Sequence, residues 1–441
     1  MEYSDDMPLA AQSQSPQRKI WLWASYDFAN SLGFIGVSFY FGLWFLTELG
    51  GSDVWMSGAV AASTLLLLVT LPFLGHFSDA MGRRMPFLMG MTLLCILSML
   101  GLGIAGSGLH SLDWMTTLLI ILFYFLFQYS YQASFAFYHA FLRDLSTKKY
   151  TAERISGFGM GWGQIGNLLG LVLLFPIAQG TIPFPGSGKP TVFIAAAILF
   201  FLCSLPVFFF FRAPGIVSTQ GSKLLSVGDT LRGTLRDFRA IRRHPGVVAY
   251  LITYYLFADA VLTLTLFITS YLDAVGHLDD KQKNIVLFAS ALFGMLGAYI
   301  SPLFIRLFGS RKKALGAFIG SWVIVISMLA VARTPVIFAV AILLNGFVYG
   351  VLFSLSRAFF ALLIPRDKQV EFFSVYVLFE RAASILGPLV WSGVAFLFIA
   401  HGPDRYRFSM ASLAILVALS FVALRYVKEP SNEGEEGVEN A

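Results

Sequence analysis

Long apolar runs alternate with short polar segments along almost the whole chain of 441 residues. Each run is long enough for a helix that crosses the hydrocarbon core of a bilayer, which takes about 20 residues. The alternating strands of about ten residues that mark a transmembrane β-barrel are absent from the sequence. The pattern predicts an all-α polytopic membrane protein with twelve spans, at about 21–46, 54–75, 86–106, 114–142, 157–180, 190–211, 247–272, 284–306, 314–332, 336–363, 372–400 and 408–427.

The composition supports a membrane protein and argues against several other classes. Hydrophobic residues make up 57% of the chain and charged residues 13%, whereas soluble proteins carry about 25% charged residues. Cys95 and Cys203 both lie inside apolar runs, so we expect no disulfide framework, no metal site and no cofactor. The polar tail at 1–19 lacks the basic start and apolar centre of a signal peptide. We expect this tail and the acidic tail at 428–441 to lie in the cytoplasm.

The distribution of Arg and Lys predicts how the helices are oriented. With both termini in the cytoplasm, 23 of the 31 Arg and Lys residues fall in cytoplasmic segments and six in outside loops. Arg357 and Arg381 lie within spans. Cytoplasmic loops of membrane proteins carry such an excess. The formal net charge of +6 therefore orients the protein and does not indicate a nucleic-acid partner. We expect an integral protein of the bacterial inner membrane.

A basic segment at 212–246 divides the chain into two halves of six predicted spans each, 20–211 and 247–427. Part of this segment could form a helix with an apolar and a basic face, which would lie on the anionic inner leaflet. A solvated linker explains the same residues equally well. We expect the segment to lie in the cytoplasm between two helical bundles.

Two sequence matches indicate that the halves arose by duplication. YDFAN at 26–30 recurs as YLFAD at 255–259, an offset of 229 residues. The loops at 75–88 and 302–315 match at an offset of 227 residues, although Arg306 in the second loop replaces an acid in the first. Repeated halves are the plan of many secondary transporters.

The most specific motif is the loop after the second span, Gly75-x-x-x-Asp79-x-x-Gly82-Arg83-Arg84. It resembles the signature loop of the major facilitator superfamily. Gly82 permits a tight turn between helices, and the two arginines hold the loop at the cytoplasmic face. In that superfamily the acid, here Asp79, helps to latch the two halves at the cytoplasmic side. The resemblance implies a cytoplasmic gate, and an ordinary polar turn is the alternative.

Four stretches narrow the resemblance to one branch of that superfamily. They are YDFANS at 26–31, YLFADAV at 255–261, the glycine-rich stretch 153–170, and 356–389. All four resemble the vacuole effluxer-like branch, which includes a fungal autophagy-related effluxer of amino acids. The resemblance implies transport of a small solute, with amino acids and related metabolites as candidates. Ala258 and Glu380 depart from the pattern of the branch, which leaves the substrate open.

Polar residues in the first and seventh spans are candidates for the transport pathway. Ionisable groups inside a spanning helix are costly and commonly face the bundle interior or a cavity. Asp27 and Asn30 share one helix face with Tyr26, because residues three or four apart lie on the same side. Asp27 lies about six residues into its span, roughly 9 Å, so it either braces a neighbouring helix or handles substrate or protons. Asp259 lies deeper, and we expect it to bind substrate or an ion.

The fourth span carries a stripe of side chains at helical spacing, Gln128, Gln132, Phe135 and His139, with Tyr124 one turn earlier. A polar stripe on a spanning helix lines a cavity or forms hydrogen bonds to a neighbouring helix. We predict that Gln128 and Gln132 line the pathway, and we leave polar contacts between helices open as the alternative.

The eleventh span contains Glu380 and Arg381. The guanidinium of Arg381 is suited to bind a carboxylate, which could belong to the substrate, to Asp259 or to Glu380. Ser384 lies one turn further on the same face. Gly387-Pro388 predicts a kink in this span. In the fifth span, small residues repeat at the spacing that lets helices approach closely, in the pairs 157/161, 159/163 and 166/170.

These observations predict a secondary active transporter that moves a small solute by alternating access, with proton coupling through Asp27, Asp259 or Glu380. The stretch PGSGKPT at 185–191 does not complete a nucleotide-binding loop, so we expect neither a nucleotide partner nor an enzyme. The expected partners are a small-molecule substrate, the bilayer and a co-transported proton, and we expect a monomer. A receptor-like scaffold or polytopic enzyme that keeps the fold is the alternative.

Overall fold

The computed structural model describes residues 15–81, 83–145, 152–182, 184, 188–211, 241–242, 244–363 and 369–427. Among these residues there are helices and short connections but no β-strand. A spanning segment must pair its own backbone groups, which an α-helix does. The α-helices are α1 Pro16–Gly42, α2 Asp53–Ala80, α3 Met85–Gly106, α4 Trp114–Leu145, α5 Ala152–Ala178, α6 Pro190–Phe210, α7 Pro245–Ala274, α8 Asp280–Phe308, α9 Arg311–Val331, α10 Pro335–Leu363, α11 Gln369–Ala382, α12 Leu386–Leu397 and α13 Arg405–Leu424.

Eleven helical segments of the described chain are long and apolar enough to cross a membrane. A π-helical turn, Leu43–Glu48, extends α1, and a 3-10 segment, Ile399–Asp404, precedes α13. The predicted eleventh span, 372–400, is the exception, because it consists of the two shorter helices α11 and α12. The all-α polytopic fold is therefore confirmed, with one of the twelve predicted spans broken in its middle.

The break in the eleventh span lies at 383–385, slightly before the predicted kink at Gly387-Pro388. Proline lacks an N–H group, and its ring clashes with the carbonyl group four residues earlier. For Pro388 that residue is Ser384, at the centre of the break. The position of the break therefore follows from Pro388, although the helix is interrupted one turn before it.

The two six-helix halves pack in the same way. In the first half, α1 contacts α5 and α6, α3 contacts α4 and α6, and α2 contacts α4. In the second half, α7 contacts α11, α12 and α13, α9 contacts α10 and α13, and α8 contacts α10. In the described part of the chain the halves meet mainly where α1 contacts α7, α2 contacts α11 and α12, and α5 contacts α8. This pseudo-two-fold arrangement is the architecture predicted from the sequence.

Glycines allow α1 and α5 to approach closely. A Cβ atom added to Gly163 would lie 2.9 Å from Oδ1 of Asp27, and one added to Gly159 would lie 2.7 Å from the Trp23 ring. Gly166 and Gly170 likewise face the backbone of α1. The predicted close approach is thus confirmed for the pairs 159/163 and 166/170. At Gly161 it is wrong, because that residue faces open space. Gly157 lies outside the described side chains, so the prediction for it stays a prediction.

Several predicted features fall outside the described residues. They are the tail residues 1–14, most of the linker at 212–240 with Arg243, and the tail at 428–441. The amphipathic or solvated character of the linker and the side of the membrane on which the termini lie therefore stay predictions.

Candidate functional site

The break in the eleventh span brings a backbone donor to the carboxylate of Asp259. Asp259 lies on α7 and is 0% exposed. Its Oδ2 atom accepts a hydrogen bond of 2.6 Å from the backbone N–H of Gly387, the second residue of α12. The first N–H groups of a helix have no partner within the helix, and the positive end of its dipole favours a carboxylate. A continuous helix would offer no free donor at this depth.

The other carboxylate oxygen of Asp259, Oδ1, is buried and has no hydrogen-bond partner among the described residues. Gly387 is required for this close approach, since a Cβ atom there would lie 2.1 Å from the hydroxyl of Thr263, 2.9 Å from the carbonyl oxygen of Asp259 and 3.1 Å from Oδ1. The hydroxyl of Thr263 donates to that same carbonyl oxygen at 2.7 Å. One carboxylate oxygen of Asp259 is therefore hydrogen-bonded, and the second is available to accept a further hydrogen bond.

A chain of polar side chains connects the break to the first half. Nε2 of Gln132 on α4 donates to the hydroxyl of Thr64 on α2 at 3.2 Å. The hydroxyls of Thr64 and Ser384 are 3.0 Å apart. Ser384 in turn donates to the carbonyl oxygen of Arg381 at 3.1 Å. Of the predicted stripe on α4, Gln132 thus belongs to the contact between the halves.

The other polar members of the stripe are placed differently. Nε2 of Gln128 donates to the hydroxyl of Tyr124 within α4 at 2.8 Å, and Gln128 is 8% exposed. His139 is exposed, and its ring lies 5.2 Å from that of Phe135. Gln128 is therefore buried and bonded within its own helix, whereas His139 lies outside the buried interior.

Arg381 reaches from the second half to the first. The guanidinium carbon lies 6.0 Å from the centre of the Phe135 ring on α4, within the range of a cation–π contact. The buried Nε atom of Arg381 has no hydrogen-bond partner in the described ranges of the chain. Of the three carboxylates predicted as its partner, Asp259 is bound by Gly387 instead. Glu380 is half-buried on the same helix, and no ion pair to Arg381 occurs in the described part of the chain.

The predicted acid in the first half lies against α5. Asp27 is 8% exposed and packs beside Gly163, where the hydroxyl of Ser31 also points. Tyr131 on α4 stacks on Phe34 at 4.2 Å and lies within electrostatic range of both Asp27 and Arg381. An acid of the first half and a base of the second half therefore both act electrostatically on a single tyrosine.

Asn30 is the aligned counterpart of Asp259 and is fully buried. Within the part of the chain that the structure describes, neither the side-chain oxygen nor the side-chain nitrogen of Asn30 has a hydrogen-bond partner. Buried polar groups are nearly always paired, so an exception needs an explanation. Tyr26, on the same face, is by contrast satisfied, because its hydroxyl lies 2.7 Å from that of Thr92 on α3.

The predicted gate motif lies at the end of α2 and the start of α3. The carbonyl oxygen of Gly75 accepts from the Ser78 hydroxyl at 2.7 Å. Arg84 donates to the carbonyl oxygen of Ala140 on α4 at 3.2 Å, and Arg83 is exposed. Gly82 and the side chain of Asp79 lie outside the described residues. The latch predicted for Asp79 therefore stays a prediction.

Sequence reasoning missed two features of this site. The first is Thr64, whose hydroxyl joins the halves; serine and threonine are frequent in spanning helices, so sequence alone does not single it out. The second is the Gly387 N–H donor, for which the only signal was the proline that follows.

Comparisons with known proteins identify the family to which this chain is similar. Residues 56–436 match the family model described as "Vacuole effluxer Atg22 like". An uncharacterized transporter of the major facilitator type from Bacillus subtilis, YxiO, is 27% identical over 435 residues, which cover 93% of this chain and 95% of that protein. Autophagy-related protein 22 of Yarrowia lipolytica is 28% identical over 173 residues, covering 35% of this chain and 28% of that protein.

Solved structures share the fold. The nucleoside transporter NupG superposes with a TM-score of 0.69 at 14% identity, covering 95% of this chain and all of that one. A bacterial homologue of the lysosomal transporter Spinster, in an inward-facing, unoccupied conformation, gives 0.66 at 14% identity, covering 94% and 98%. Because the family model covers most of the sequence, the chain belongs to the vacuole effluxer Atg22-like family of membrane transporters, within the major facilitator superfamily.

Proposed function

We propose that the protein is a secondary active transporter that moves a small solute by alternating access between its two halves. The observation that carries this proposal is the broken eleventh span, whose second helix donates to the buried carboxylate of Asp259. Secondary transporters build their substrate and ion sites from interrupted helices near the middle of the membrane. The break in this chain has the same construction.

Asp259 is the proposed proton-binding group. Ionisable residues buried in a spanning bundle are functional candidates, because their burial is costly. The free oxygen Oδ1 can take up a proton, while Oδ2 stays bound to Gly387. A movement of α12 relative to α7 would remove that hydrogen bond. The free-energy cost of keeping the Asp259 carboxylate charged would then change. Proton uptake is thereby linked to the position of the broken helix.

Arg381 is the proposed anchor for a carboxylate of the solute. Its guanidinium faces Phe135 without an ion-pair partner in the described chain, and arginine binds carboxylates through paired N–H groups. Asp27, which like Arg381 acts electrostatically on Tyr131, supplies the opposite charge. A solute with one carboxylate and one amino group, such as an amino acid or a related metabolite, fits this pair. Asn30, Gln128, Gln132 and Glu380 complete the proposed pathway.

The motif at the end of α2 is the proposed cytoplasmic gate, formed by Gly75, Asp79, Gly82, Arg83 and Arg84. The excess of Arg and Lys in the same set of loops supports a cytoplasmic location of that end and of both termini. The relative in Bacillus supports a bacterial cell membrane. We propose a monomer, since each chain contains both halves of the site.

The proposal is tested with purified protein in liposomes. Uptake of labelled amino acids, peptides, sugars and nucleosides is measured with and without an imposed pH gradient. We expect saturable uptake of at least one carboxylate-bearing solute, accelerated by the gradient. Uptake that is insensitive to the gradient would remove proton coupling. Absence of uptake across the whole panel, together with a chemical conversion or a stable protein partner, would favour an enzyme or a scaffold.

A further inference from the structure

Charged residues join the two halves at one end of the bundle. We call the end where α1 stops and α2 begins the distal end, which the sequence predicts to lie outside the cytoplasm. Two acidic residues at this end each contact residues of the opposite half. Asp53 is the first residue of α2, and Asp280 is the first residue of α8.

Asp53 contacts the start of α13. Its Oδ2 atom accepts from the hydroxyl of Tyr406 at 3.1 Å and lies 3.5 Å from Nη2 of Arg405. The carbonyl oxygen of Asp53 accepts from the hydroxyl of Ser392 on α12 at 3.0 Å. The side chain of Asp53 is only 6% exposed. The first half is thus held to α12 and α13 through one buried acid.

Asp280 makes the corresponding contact from the second half. Its Oδ2 atom lies 3.6 Å from Nζ of Lys189, directly before α6, and accepts from Nε2 of Gln179, directly after α5, at 3.1 Å. Lys189 is also paired with Glu48 of its own half. The side chain of Asp280 is 24% exposed.

The two contacts are related by the internal repeat. Asp280 lies 227 residues after Asp53, the offset that separates the two matching loops. Helices α2 and α8 are equivalent in the packing of the halves, as are α6 and α13. Each half therefore offers an acid at the start of its second helix and a base at the start of its last helix. The acid of one half meets the base of the other in both cases.

We propose that Asp53–Arg405 and Asp280–Lys189 form a double latch that holds the distal entrance closed and breaks when the entrance opens. The proposal rests on alternating access, because a latch requires halves that separate. In the closed state both acids are paired across the interface. Beside Asp53, the hydroxyls of Ser57 and Ser392 form a hydrogen bond between the halves. Opening of the distal end exchanges these contacts for water.

The two latches differ in what remains after opening. Asp280 keeps a partner within its own half, because Nζ of Lys283 lies 2.7 Å from Oδ1. Lys283 is further held by Asp273 at 2.6 Å. Asp53 has no ion pair to a base of its own half in the described part of the chain, and it is more deeply buried. Closure therefore depends more on the Asp53 latch than on the Asp280 latch.

The test measures the width of the distal end directly, without transport. Spin labels are placed at the exposed positions Ser111 and Arg333, one in each half, in a background with Cys95 and Cys203 replaced by alanine. Distances are recorded by pulsed electron resonance. We expect D53N to raise the ratio of open to closed distal ends roughly two- to fivefold, the range for a partly exposed ion pair. D280N should raise the ratio of open to closed distal ends less than D53N does. The double variant D53N/D280N should raise this ratio more than either single variant.

Asp404 provides the matched control. It lies at the same end and is paired with Arg407 within the second half at 2.8 Å, so D404N should leave the distances unchanged. If D53N does not fold, R405Q and Y406F, which remove its partners singly, are measured in its place. Unchanged distances in the double variant, or the same widening in D404N, would overturn the latch. Widening in D53N, with a wild type that takes up no solute of the panel and shows a chemical conversion or a stable protein partner instead, would overturn the transport proposal and leave the latch standing.

Discussion

Asp27 and Asp259 are acids in equivalent helices, α1 and α7, yet their surroundings differ in one respect. Asp27 packs against α5, which is continuous, and the contact is possible because Gly163 has no side chain. Asp259 packs against the equivalent eleventh span, which is broken, and receives an N–H donor from Gly387. In both halves a glycine faces the carboxylate. What the break adds in the second half is the backbone hydrogen bond from Gly387 to Asp259.

The difference shows how a duplicated scaffold acquires two distinct acids. In a continuous helix the N–H groups of the interior are bonded to carbonyl oxygens four residues earlier. A carboxylate at such a surface must find its partners among side chains or water. A break exposes the first N–H groups of the following helix. Pro388 therefore determines that the second half carries the acid with a backbone donor, although Pro388 itself does not touch that acid in any described contact.

The largest effect is expected where an acid is introduced into the first half at the position equivalent to Asp259. Asn30→Asp places a carboxylate in a fully buried position without a donor. An uncompensated buried charge costs on the order of 3 kcal/mol, so the free energy of unfolding should fall by about that amount, measured by thermal and chemical unfolding in detergent.

Asn30→Leu is the control for this substitution. It has a similar volume and removes two unsatisfied polar atoms, so stability should be unchanged or increased. If Asn30 contacts the solute, as proposed, uptake falls in Asn30→Leu while the protein stays folded. Equal stability of Asn30→Asp and wild type would mean that the first half supplies a donor that its structure does not show.

A smaller effect is expected when the contact between Gly387 and Asp259 is blocked. In Gly387→Ala the new methyl group would lie 2.1 Å from the hydroxyl of Thr263 and 2.9 Å from the backbone oxygen of Asp259. The backbone oxygen cannot move by side-chain rotation, so α12 must shift away from α7. Overpacking of this kind costs about 1–3 kcal/mol, and gradient-driven uptake should fall at least tenfold. Gly393→Ala, on the same helix but facing open space, should leave both quantities nearly unchanged.

The equivalent substitution in the first half should have the smallest effect. In Gly163→Ala the methyl group meets the Asp27 carboxylate at 2.9 Å, and a side chain can move where a backbone oxygen cannot. We expect a loss of about 1 kcal/mol and a modest decrease in uptake, measured beside Gly161→Ala, whose methyl group would face open space. A larger loss of stability and uptake in Gly163→Ala than in Gly387→Ala would contradict this order, because it would make the contact at Asp27 more important than the contact at Asp259.

Much of this architecture follows from the sequence because a bilayer constrains a chain strongly. Apolar runs must be helices, and the twelve predicted spans agree with the observed helices apart from the break. The close approach of α1 and α5 at Gly163 also follows from glycine spacing. Asp259 is predicted as a site residue because it lies deep in an apolar span, where burial of a charged group is costly.

The contacts of the site could not be predicted in the same way. The donor to Asp259 is a backbone group of Gly387, which leaves no trace in side-chain patterns. The interruption begins one turn before the Gly-Pro pair, since the steric effect of proline acts on the preceding turn. The contact of Arg381 with Phe135 depends on the packing of α11 against the opposite half, and sequence spacing within one helix carries no information about it.

The central claim is that the Asp259 carboxylate at the break couples proton movement to transport. It is tested most directly by comparing two modes of uptake in liposomes that contain wild type, Asp259→Asn or Asp404→Asn. One mode is exchange of labelled for unlabelled solute without a gradient, and the other is accumulation driven by a pH gradient. We predict that Asp259→Asn retains exchange and loses accumulation, while Asp404→Asn retains both. Accumulation by Asp259→Asn at the wild-type level would contradict the account.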